Sequence, residues 1–568
     1  MTNGTSNTAV STVSIDAGLN GAGSLAAAAR QIPPLAAMVS SMRDQHTRGV
    51  SFTSTNSVVH KSYATCYQEA CDLAAAFEAL GVGEGDIVAI HGANSYEWLL
   101  ADLACIIIGA TSLALYPNAP PSRALAYVKE MGAKLLLTDA TGSNSEMRAA
   151  LCKVISLSNK DDPELDSVGS LARKFQGELP REPKLKPEAA FTIVSTSGTL
   201  SEPMFFAVHS LPLLYTMEQF KKNYSLSDSD SILLALPLAH LPQRMMVYGA
   251  IKNGLQLVLS GPTRFLKDSL RFNPTVHIVV PRMLQYIDDR LMKELKQGSA
   301  RVVLWLLPLL RYSRRLVYSL VGARIFGKRA RCIFVGSAPT PKPVLQRLKD
   351  LGCPIYEVYG TTELGMIALN EPGASKVGSV GQVVKWGQIK IDPQNSEVQF
   401  ATPFPFFYGR TPEGKIERDG SLANRFVPTG DIGSIDEDGF LSLRGRLRDF
   451  VALSNGEKIF VRPIEERLCE IAGVNTCVVV GNGERELGAV VFTDSQFKFE
   501  SDTQRAEHFR QSIFKINQTL SPVERIRKFR VVDHAPAIED GCLTETLKIR
   551  RHVINQRYAG DYRSYLAV

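Results

Sequence analysis

Paired cysteines, an export signal and a run of apolar residues long enough to span a bilayer are all missing from this 568-residue chain. Its nine cysteines (Cys66, Cys71, Cys105, Cys152, Cys332, Cys353, Cys469, Cys477 and Cys542) are scattered with no C-x-x-C pair, which excludes a disulfide framework and a zinc site and fits a reducing, cytoplasmic setting. No basic residue precedes Arg30, and residues 1–30 are rich in Ser, Thr, Ala, Asn and Gly, so a flexible leader is expected there. The Asn-x-Ser/Thr triplets at Asn3, Asn223 and Asn517 carry little weight without an export signal. Val302-Val-Leu-Trp-Leu-Leu-Pro-Leu-Leu310 falls far short of the roughly 20 apolar residues of a transmembrane helix, and Pro308 interrupts it. No repeat of fixed period is visible, and no nucleic-acid partner is expected.

What is present is the composition of a globular protein, 45% hydrophobic and 21% charged, over a length that calls for about two or three domains. The net charge of +7 is concentrated. Arg301, Arg311, Arg314, Arg315, Arg324, Lys328, Arg329 and Arg331 fall in one acid-free block, leaving the rest of the chain close to neutral. Residues 301–331 therefore read either as a core-packed helix with a solvated basic face or as a peripheral contact with a membrane surface. Gly322-Ala-Arg-Ile-Phe-Gly327-Lys328-Arg329 nearly matches a Walker loop but ends in Arg where Ser or Thr must reach a metal, and is rejected as one.

Apolar runs alternate with helical spacing near the start. Tyr67–Leu80 reads as a helix, Ile87–Ile90 as a strand, Tyr96–Ile108 as a helix, Thr111–Leu115 as a strand ending at Tyr116-Pro117, Pro121–Glu130 as a helix and Lys134–Leu137 as a strand. Such alternation predicts parallel strands joined by right-handed crossovers, an α/β layered domain. Lys153 to Pro187 loses the periodicity and is expected to be a surface connection.

Chemistry is suggested where strands end. Phe191-Thr-Ile-Val-Ser-Thr196-Ser197-Gly198-Thr199-Leu-Ser-Glu-Pro203 runs a buried strand into a hydroxyl-rich turn whose backbone N–H groups and Oγ atoms can surround a polyphosphate. Leu233-Leu-Ala-Leu-Pro237-Leu-Ala-His240-Leu-Pro-Gln-Arg244 delivers a histidine at the carboxyl end of a strand, where ligands of open α/β sheets bind. Ile333-Phe-Val-Gly336-Ser337-Ala338-Pro339 ends in small residues that let a flat ring approach the backbone. Ile355-Tyr-Glu-Val-Tyr359-Gly360-Thr361-Thr362-Glu363 ends in an aromatic ring, a glycine, two hydroxyls and a carboxylate suited to Mg2+.

In this order the motifs resemble those of the adenylate-forming ligase superfamily, from about Phe52 to Arg551. Thr196-Ser-Gly-Thr199 resembles its phosphate loop, Leu236-Pro-Leu-Ala-His240 its acyl-pocket motif and Tyr359-Gly-Thr-Thr-Glu363 the segment that clasps ATP and magnesium. Pro428-Thr-Gly-Asp431 resembles the ribose-holding segment, Gly445-Arg446-Leu-Arg-Asp449 the hinge, and Leu543-Thr-Glu-Thr-Leu-Lys548 the segment with the catalytic lysine. The Leu-Pro-Leu-Ala-His form and Gly378-Ser-Val-Gly381 are most similar to long-chain acyl-CoA synthetases.

The resemblance implies a large α/β domain of layered parallel and mixed sheets over residues 31–447, and a small mobile α+β domain over 448–568. It implies formation of an acyl-adenylate from a carboxylic acid, such as a medium- or long-chain fatty acid, and ATP, followed by transfer to CoA. Thr196, Ser197, Gly198 and Thr199 would donate to the β- and γ-phosphates, and Gly336, Ser337, Ala338, Tyr359, Gly360 and Thr361 would line the nucleotide. Glu363, with Thr199, would hold Mg2+. Thr362 would touch the α-phosphate, Asp431 and Arg446 the ribose, and His240 the acyl group. Lys548 would bridge the carboxylate and the α-phosphate, and Asp449 would be the pivot. A carrier-protein phosphopantetheine or an amine could replace CoA as acceptor.

The chain also departs from the family pattern. Where the phosphate loop usually continues Pro-Lys-Gly, the run is Pro203-Met204-Phe205-Phe206; Ser201 replaces a loop glycine and Ala452 a lysine that often follows the hinge. A lost charge-assisted contact of about 1.5–3 kcal/mol predicts weaker β/γ-phosphate binding, or a binder without turnover, unless another cation such as His209 or Arg244 compensates. Phe205, Phe206 and Phe404-Pro-Phe-Phe-Tyr408 suggest an apolar pocket or ordinary core.

Overall fold

A computed structural model describes residues 34–55, 57–139, 153–157, 166–177, 182–186, 189–196, 204–295, 317–403, 408–410, 416–418, 423–493, 497, 499–538, 540–544, 548–558 and 566–568. The chain divides into two compact units, one of residues 1–196, 205–429 and 433–443, the other of residues 197–204, 430–432 and 444–568.

The first unit is built on two sheets. In chain order their strands are β1 (Gly49–Ser54), β2 (Ser57–Ser62), β3 (Ile87–His91), β4 (Thr111–Leu115), β5 (Leu135–Thr138), β6 (Lys153–Ser156), β7 (Ala190–Thr196), β8 (Met204–His209), β9 (Ser231–Leu234), β10 (Gln256–Leu259), β11 (Val276–Val279), β12 (Cys332–Val335), β13 (Ile355–Thr361), β14 (Gly365–Leu369) and β15 (Gln382–Val383). One sheet runs β6-β5-β3-β4-β7-β8 and the other β15-β14-β13-β12-β11-β9-β10-β1-β2. Strands β3 to β7 pair in parallel, as the alternation predicts, and so do β1, β10, β9, β11, β12 and β13.

Sequence dictates the helices locally. Tyr96–Ile108 starts where Ser95 accepts the Trp98 N–H (3.0 Å) and stops at Gly109, whose φ of 75° an L side chain would resist. Every residue of it except Glu97 is buried, so it sits inside an apolar core that contains Val88, Ile90 and Leu135 of one sheet and Ile232, Leu234 and Leu257 of the other. The helix expected over Tyr67–Leu80 begins earlier, at Tyr63, because Ser62 caps it by accepting from Thr65. The expected surface connection after Lys153 is partly wrong: Lys153–Ser156 is edge strand β6, and Val168–Lys174 is a helix opened by a Ser167/Ser170 capping box.

Asp102 interrupts the apolar Tyr96–Ile108 helix and is itself only 1% exposed, so it needs partners. The Arg244 guanidinium, also 1% exposed, donates from Nη1 to Asp102 Oδ1 at 3.0 Å and to Ser112 Oγ at 3.1 Å, and from Nη2 to Thr192 Oγ1. Ser112 and Tyr248 also donate to the Asp102 carboxylate, and the guanidinium lies 5.4 Å from the Trp98 ring centroid. Arg244 is therefore a core cation tying its helix, Leu241–Asn253, to β4 and β7, and not a substitute for the missing phosphate-loop lysine.

The Walker-like stretch is confirmed as a decoy: Ala323–Phe326 is helical and Gly327 follows the helix, whereas a phosphate loop precedes one. Of the basic block, Arg331 pairs with Asp230 at 2.6 Å and donates to the Tyr224 and Ser225 carbonyls, and Arg329 donates to the Ser229 carbonyl. Residues 301–316 lie outside the described set. No helix among the described residues is long and apolar enough to cross a membrane.

A four-stranded sheet orders Gln388–Ile391, Glu397–Ala401, Val427–Ile435 and Leu441–Arg446. In the second unit Val474–Val480, Leu487–Thr493, Ile526–Val532 and Leu566–Ala567 form a sheet in that order. Val479, Ala489, Val491 and Phe529 from it pack with Ile464 and Leu468 of the helix Arg462–Cys469 and with Phe509 and Ile513 of the helix Asp502–Asn517.

Candidate active site

The carboxyl ends of the parallel strands bring several expected residues together. Ser112 pairs with Thr192 and Ala114 with Val194 across β4 and β7, and extending that register sets Tyr116 level with Thr196, the last residue before the hydroxyl-rich loop. Ser197, Gly198 and Thr199 lie outside the described residues, as does the side chain of Thr196.

His240 precedes the helix Leu241–Asn253 and makes no side-chain cap bond. Its ring instead lies between two hydroxyls: Nδ1 is 3.3 Å from Tyr116 Oη and Nε2 is 3.2 Å from Ser337 Oγ. Ser337 follows β12 with φ 71°, a left-handed conformation that costs a serine on the order of 1 kcal/mol, so the surrounding structure holds it there. The segment leading to His240 is fixed by Asn94, which donates to the Leu236 carbonyl at 2.8 Å and to the Ser260 carbonyl at 3.1 Å and accepts from the Leu238 N–H at 2.7 Å.

Beside these ends β13 turns into β14. A bulge falls between Tyr359 and Gly360, and a Cβ on Gly360 would stand 2.3 Å from the Gly365 carbonyl oxygen, so only glycine fits. Thr361 Oγ1 accepts the Leu364 N–H at 3.1 Å and shapes the turn that presents Thr362 and Glu363, both half-buried. Tyr359 is packed into the core, with 8% exposure. Gly336 is close-packed as well, its missing Cβ 2.9 Å from the Val358 carbonyl oxygen, while Ala338 is exposed. Glu357, two residues before Tyr359, accepts the Gly378 N–H at 3.3 Å, and burial pushes its carboxyl up to about 7.

Neither proposed substitute for the loop lysine serves. Besides the core role of Arg244, β7 and β8 are neighbours joined by only seven residues. A parallel pair would need a crossover of about a dozen or more, so the two strands form a hairpin. That places His209 at the far end of β8, about 17 Å from Met204 at roughly 3.3 Å per residue. Phe205 and Phe206 are core: Phe205 packs edge-on against Tyr127 with centroids 5.0 Å apart, and Phe206 is buried. Residues 404–407 are outside the described set.

In the second unit the two expected ribose ligands meet directly. Arg446 Nε lies 3.0 Å from Asp431 Oδ1, with the Asp431 side chain 8% exposed. Asp449 ends a 3-10 turn and accepts the Arg446 N–H at 3.3 Å, so it contacts Arg446 through the main chain. Exposed Lys548 stands on a loop closed from both sides: its N–H donates to Thr544 Oγ1 at 3.0 Å, and its carbonyl accepts the Thr544 N–H at 2.8 Å. Arg551 anchors that segment with a fork onto Glu465, Nη2 to Oε2 at 2.7 Å, and a bond to the Val479 carbonyl at 3.0 Å.

Among the described residues no group of three or more His, Cys, Asp or Glu side chains forms a metal cage. A lone carboxylate such as Glu363 suits Mg2+ that arrives on a nucleotide, because that ion keeps waters and phosphate oxygens as its other ligands.

Residues 40–403 match the family model of the AMP-binding enzyme. The chain belongs to that family. Residues 448–564 of this AMP-binding enzyme match the family's C-terminal domain, and membership places the chain in the adenylate-forming ligase superfamily. It is similar to the long-chain-fatty-acid–CoA ligase FadD15 of Mycobacterium bovis, 26% identical over 553 residues that cover 88% of this chain and 91% of that one. It is also similar to the 2-succinylbenzoate–CoA ligase of Bacillus subtilis, 24% identical over 446 residues, 76% of this chain and 82% of the relative. The fold matches the Bacillus subtilis O-succinylbenzoate coenzyme A synthetase solved with AMP, at a TM-score of 0.69 and 21% identity, covering 92% and 97% of the two chains. An anthranilate CoA ligase, AuaEII, solved with anthranoyl-AMP matches at a TM-score of 0.72 and 16% identity over 94% and 99%. The expected fold class, a layered α/β domain followed by a smaller C-terminal domain, is borne out.

Tyr116, Asn94 and Glu357 are residues at these strand ends that the motifs do not point to. Tyr116 had a signal, an aromatic hydroxyl at the end of a buried strand; Asn94, just after β3, had one in its place after Gly92-Ala93, where a turn frees a side chain.

Proposed function

We propose that this AMP-binding enzyme is an AMP-forming acyl-CoA synthetase acting on a fatty acid of medium or long chain, with ATP, Mg2+ and CoA as its other reactants. The observation that carries the reading is the convergence of His240, Ser337 and Tyr116 at the strand ends level with the start of the phosphate-loop segment. Similarity to FadD15 over most of both chains favours a fatty acid; similarity to succinylbenzoate ligases makes an aromatic acid the second reading.

In the first half-reaction a carboxylate oxygen bonds to the α-phosphorus, the bond to the bridging oxygen breaks, and pyrophosphate leaves with that electron pair. Both partners are anionic, so the site must supply donors and cations. Thr196 to Thr199 would donate to the β- and γ-phosphates, Thr362 to the α-phosphate, and Glu363, with Thr199, would hold Mg2+. Gly336, Ser337, Ala338, Tyr359, Gly360 and Thr361 would line the nucleotide, while Asp431 would accept from the ribose hydroxyls and Arg446 donate to them. Lys548, steadied by the Thr544 loop, would bridge carboxylate and α-phosphate. In the second half the CoA thiol attacks the acyl carbon, AMP leaves and the thiol proton passes to water. Asp449, in a 3-10 turn, would be the pivot between the halves. Contact of residues 301–331 with a membrane surface belongs to the same reading, since long-chain acids reside there.

Pyrophosphate exchange with a panel of acids is the test. A fatty acid should support it, and Lys548→Ala should lower it by about 10²–10³-fold with circular dichroism unchanged. Exchange with no acid, or full exchange in that variant, overturns the reading. Transfer only to a phosphopantetheine carrier or an amine, scored by mass spectrometry, would reassign the acceptor.

A further inference from the structure

From the chain of hydroxyls and imidazole at the strand ends, we propose that Tyr116 is a positioning residue which, through His240, aims the Ser337 hydroxyl at the reacting acid and α-phosphate. The inference rests on the synthetase reading and adds to it a residue outside every motif.

The chain links three strands of two sheets. Tyr116 follows β4 of the six-stranded sheet, His240 lies beyond β9 and Ser337 beyond β12 of the nine-stranded one. A neutral imidazole carries one N–H and one acceptor nitrogen. A phenol is a stronger acid than an alcohol, and on that ground Tyr116 is assigned as the donor and Nδ1, 3.3 Å away, as the acceptor. Nε2 then bears the proton and donates to Ser337 Oγ at 3.2 Å. Ser337 is thereby left with its own O–H to give, on an exposed residue beside Gly336 and Ala338. Its left-handed φ of 71° holds the side chain in that arrangement where glycine would be the relaxed choice. His240 makes no cap bond to its helix, and Asn94 fixes the chain leading into it.

Two measurements on the full-length protein decide it. Nitrogen-15 histidine spectra, with His240 identified by its loss in His240→Gln, should show the Nε2–H tautomer, and Tyr116→Phe, which keeps the buried ring, should move the Nδ1 resonance. In pyrophosphate exchange with the best acid, Tyr116→Phe should lower kcat roughly three- to tenfold while KM for ATP and for the acid stays within about twofold, the loss of one hydrogen bond. Ser337→Gly removes the hydroxyl and suits the backbone, and the double variant should be no slower than the slower single one. An Nδ1–H tautomer, a resonance indifferent to Tyr116→Phe, or losses that multiply in the double variant would overturn the proposal. If the wild-type protein makes no adenylate, the synthetase reading fails on its own while the spectra still decide whether the hydrogen-bonded chain exists.

Discussion

Replacing Arg244 by methionine leaves the Asp102 carboxylate buried beside the Ser112 and Tyr248 hydroxyls with no cation. The wild-type guanidinium reaches Asp102 at 3.0 Å and Ser112 at 3.1 Å, and at 1% exposure water cannot take its place. Breaking a buried pair from one side costs about 3–5 kcal/mol. With an m-value of about 3 kcal/mol per molar urea, the unfolding midpoint of the unit carrying Arg244 should fall by roughly 1–1.7 M. Trp98, its ring 5.4 Å from the guanidinium, gives the fluorescence signal. Removing the whole network is the sharper experiment. Arg244→Met with Asp102→Leu and Tyr248→Phe leaves no buried charge and no orphaned phenol, so at least half of the lost stability should return. A single variant within about 0.3 M of wild type, or a triple variant less stable than the single one, would refute this account of the core.

Glu357 gives a pH signature. Its carboxyl is pushed up to about 7 by burial, so the native state holds a proton that the unfolded chain releases near the ordinary value of 4.5. The associated stability is complete below that value and is lost as pH rises through about 7. Between pH 5 and pH 8 wild type should lose about 2.5 kcal/mol more than Glu357→Gln in urea unfolding, and equal losses would exclude the assignment. Met204→Lys should restore a cation at the start of β8 and lower KM for ATP about tenfold or more, read by pyrophosphate exchange; an unchanged KM would show that the loop does not need it.

Elements with strong local signals were legible in the sequence. Tyr96–Ile108 falls where its helical spacing predicts, bounded by the Ser95 cap and the Gly109 stop, and β4 and β7 lie where apolar runs meet turn residues. Strand β6 was not, because an edge strand of four residues, Lys-Val-Ile-Ser, presents too short a pattern to distinguish from a loop. Residue type alone leaves Arg244 open as a stand-in for the missing loop lysine; the clue against it is Asp102, a carboxylate inside an otherwise apolar helix, which demands a cation nearby. Tyr116 looked like the end of a strand, and only the register of β4 against β7 shows what it stands beside.

If Arg446 and Asp431 hold the ribose as proposed, their embrace carries a consequence for nucleotide selection. With each charge already neutralised by the other, a visiting sugar must offer a donor to one and an acceptor to the other at the same moment to make opening the pair worthwhile. A vicinal diol does both. On that role a ligand with phosphates but no such diol would meet a closed handshake, and the proposed ribose grip would also work as a filter against the many polyphosphates and inorganic anions that share ATP's charge.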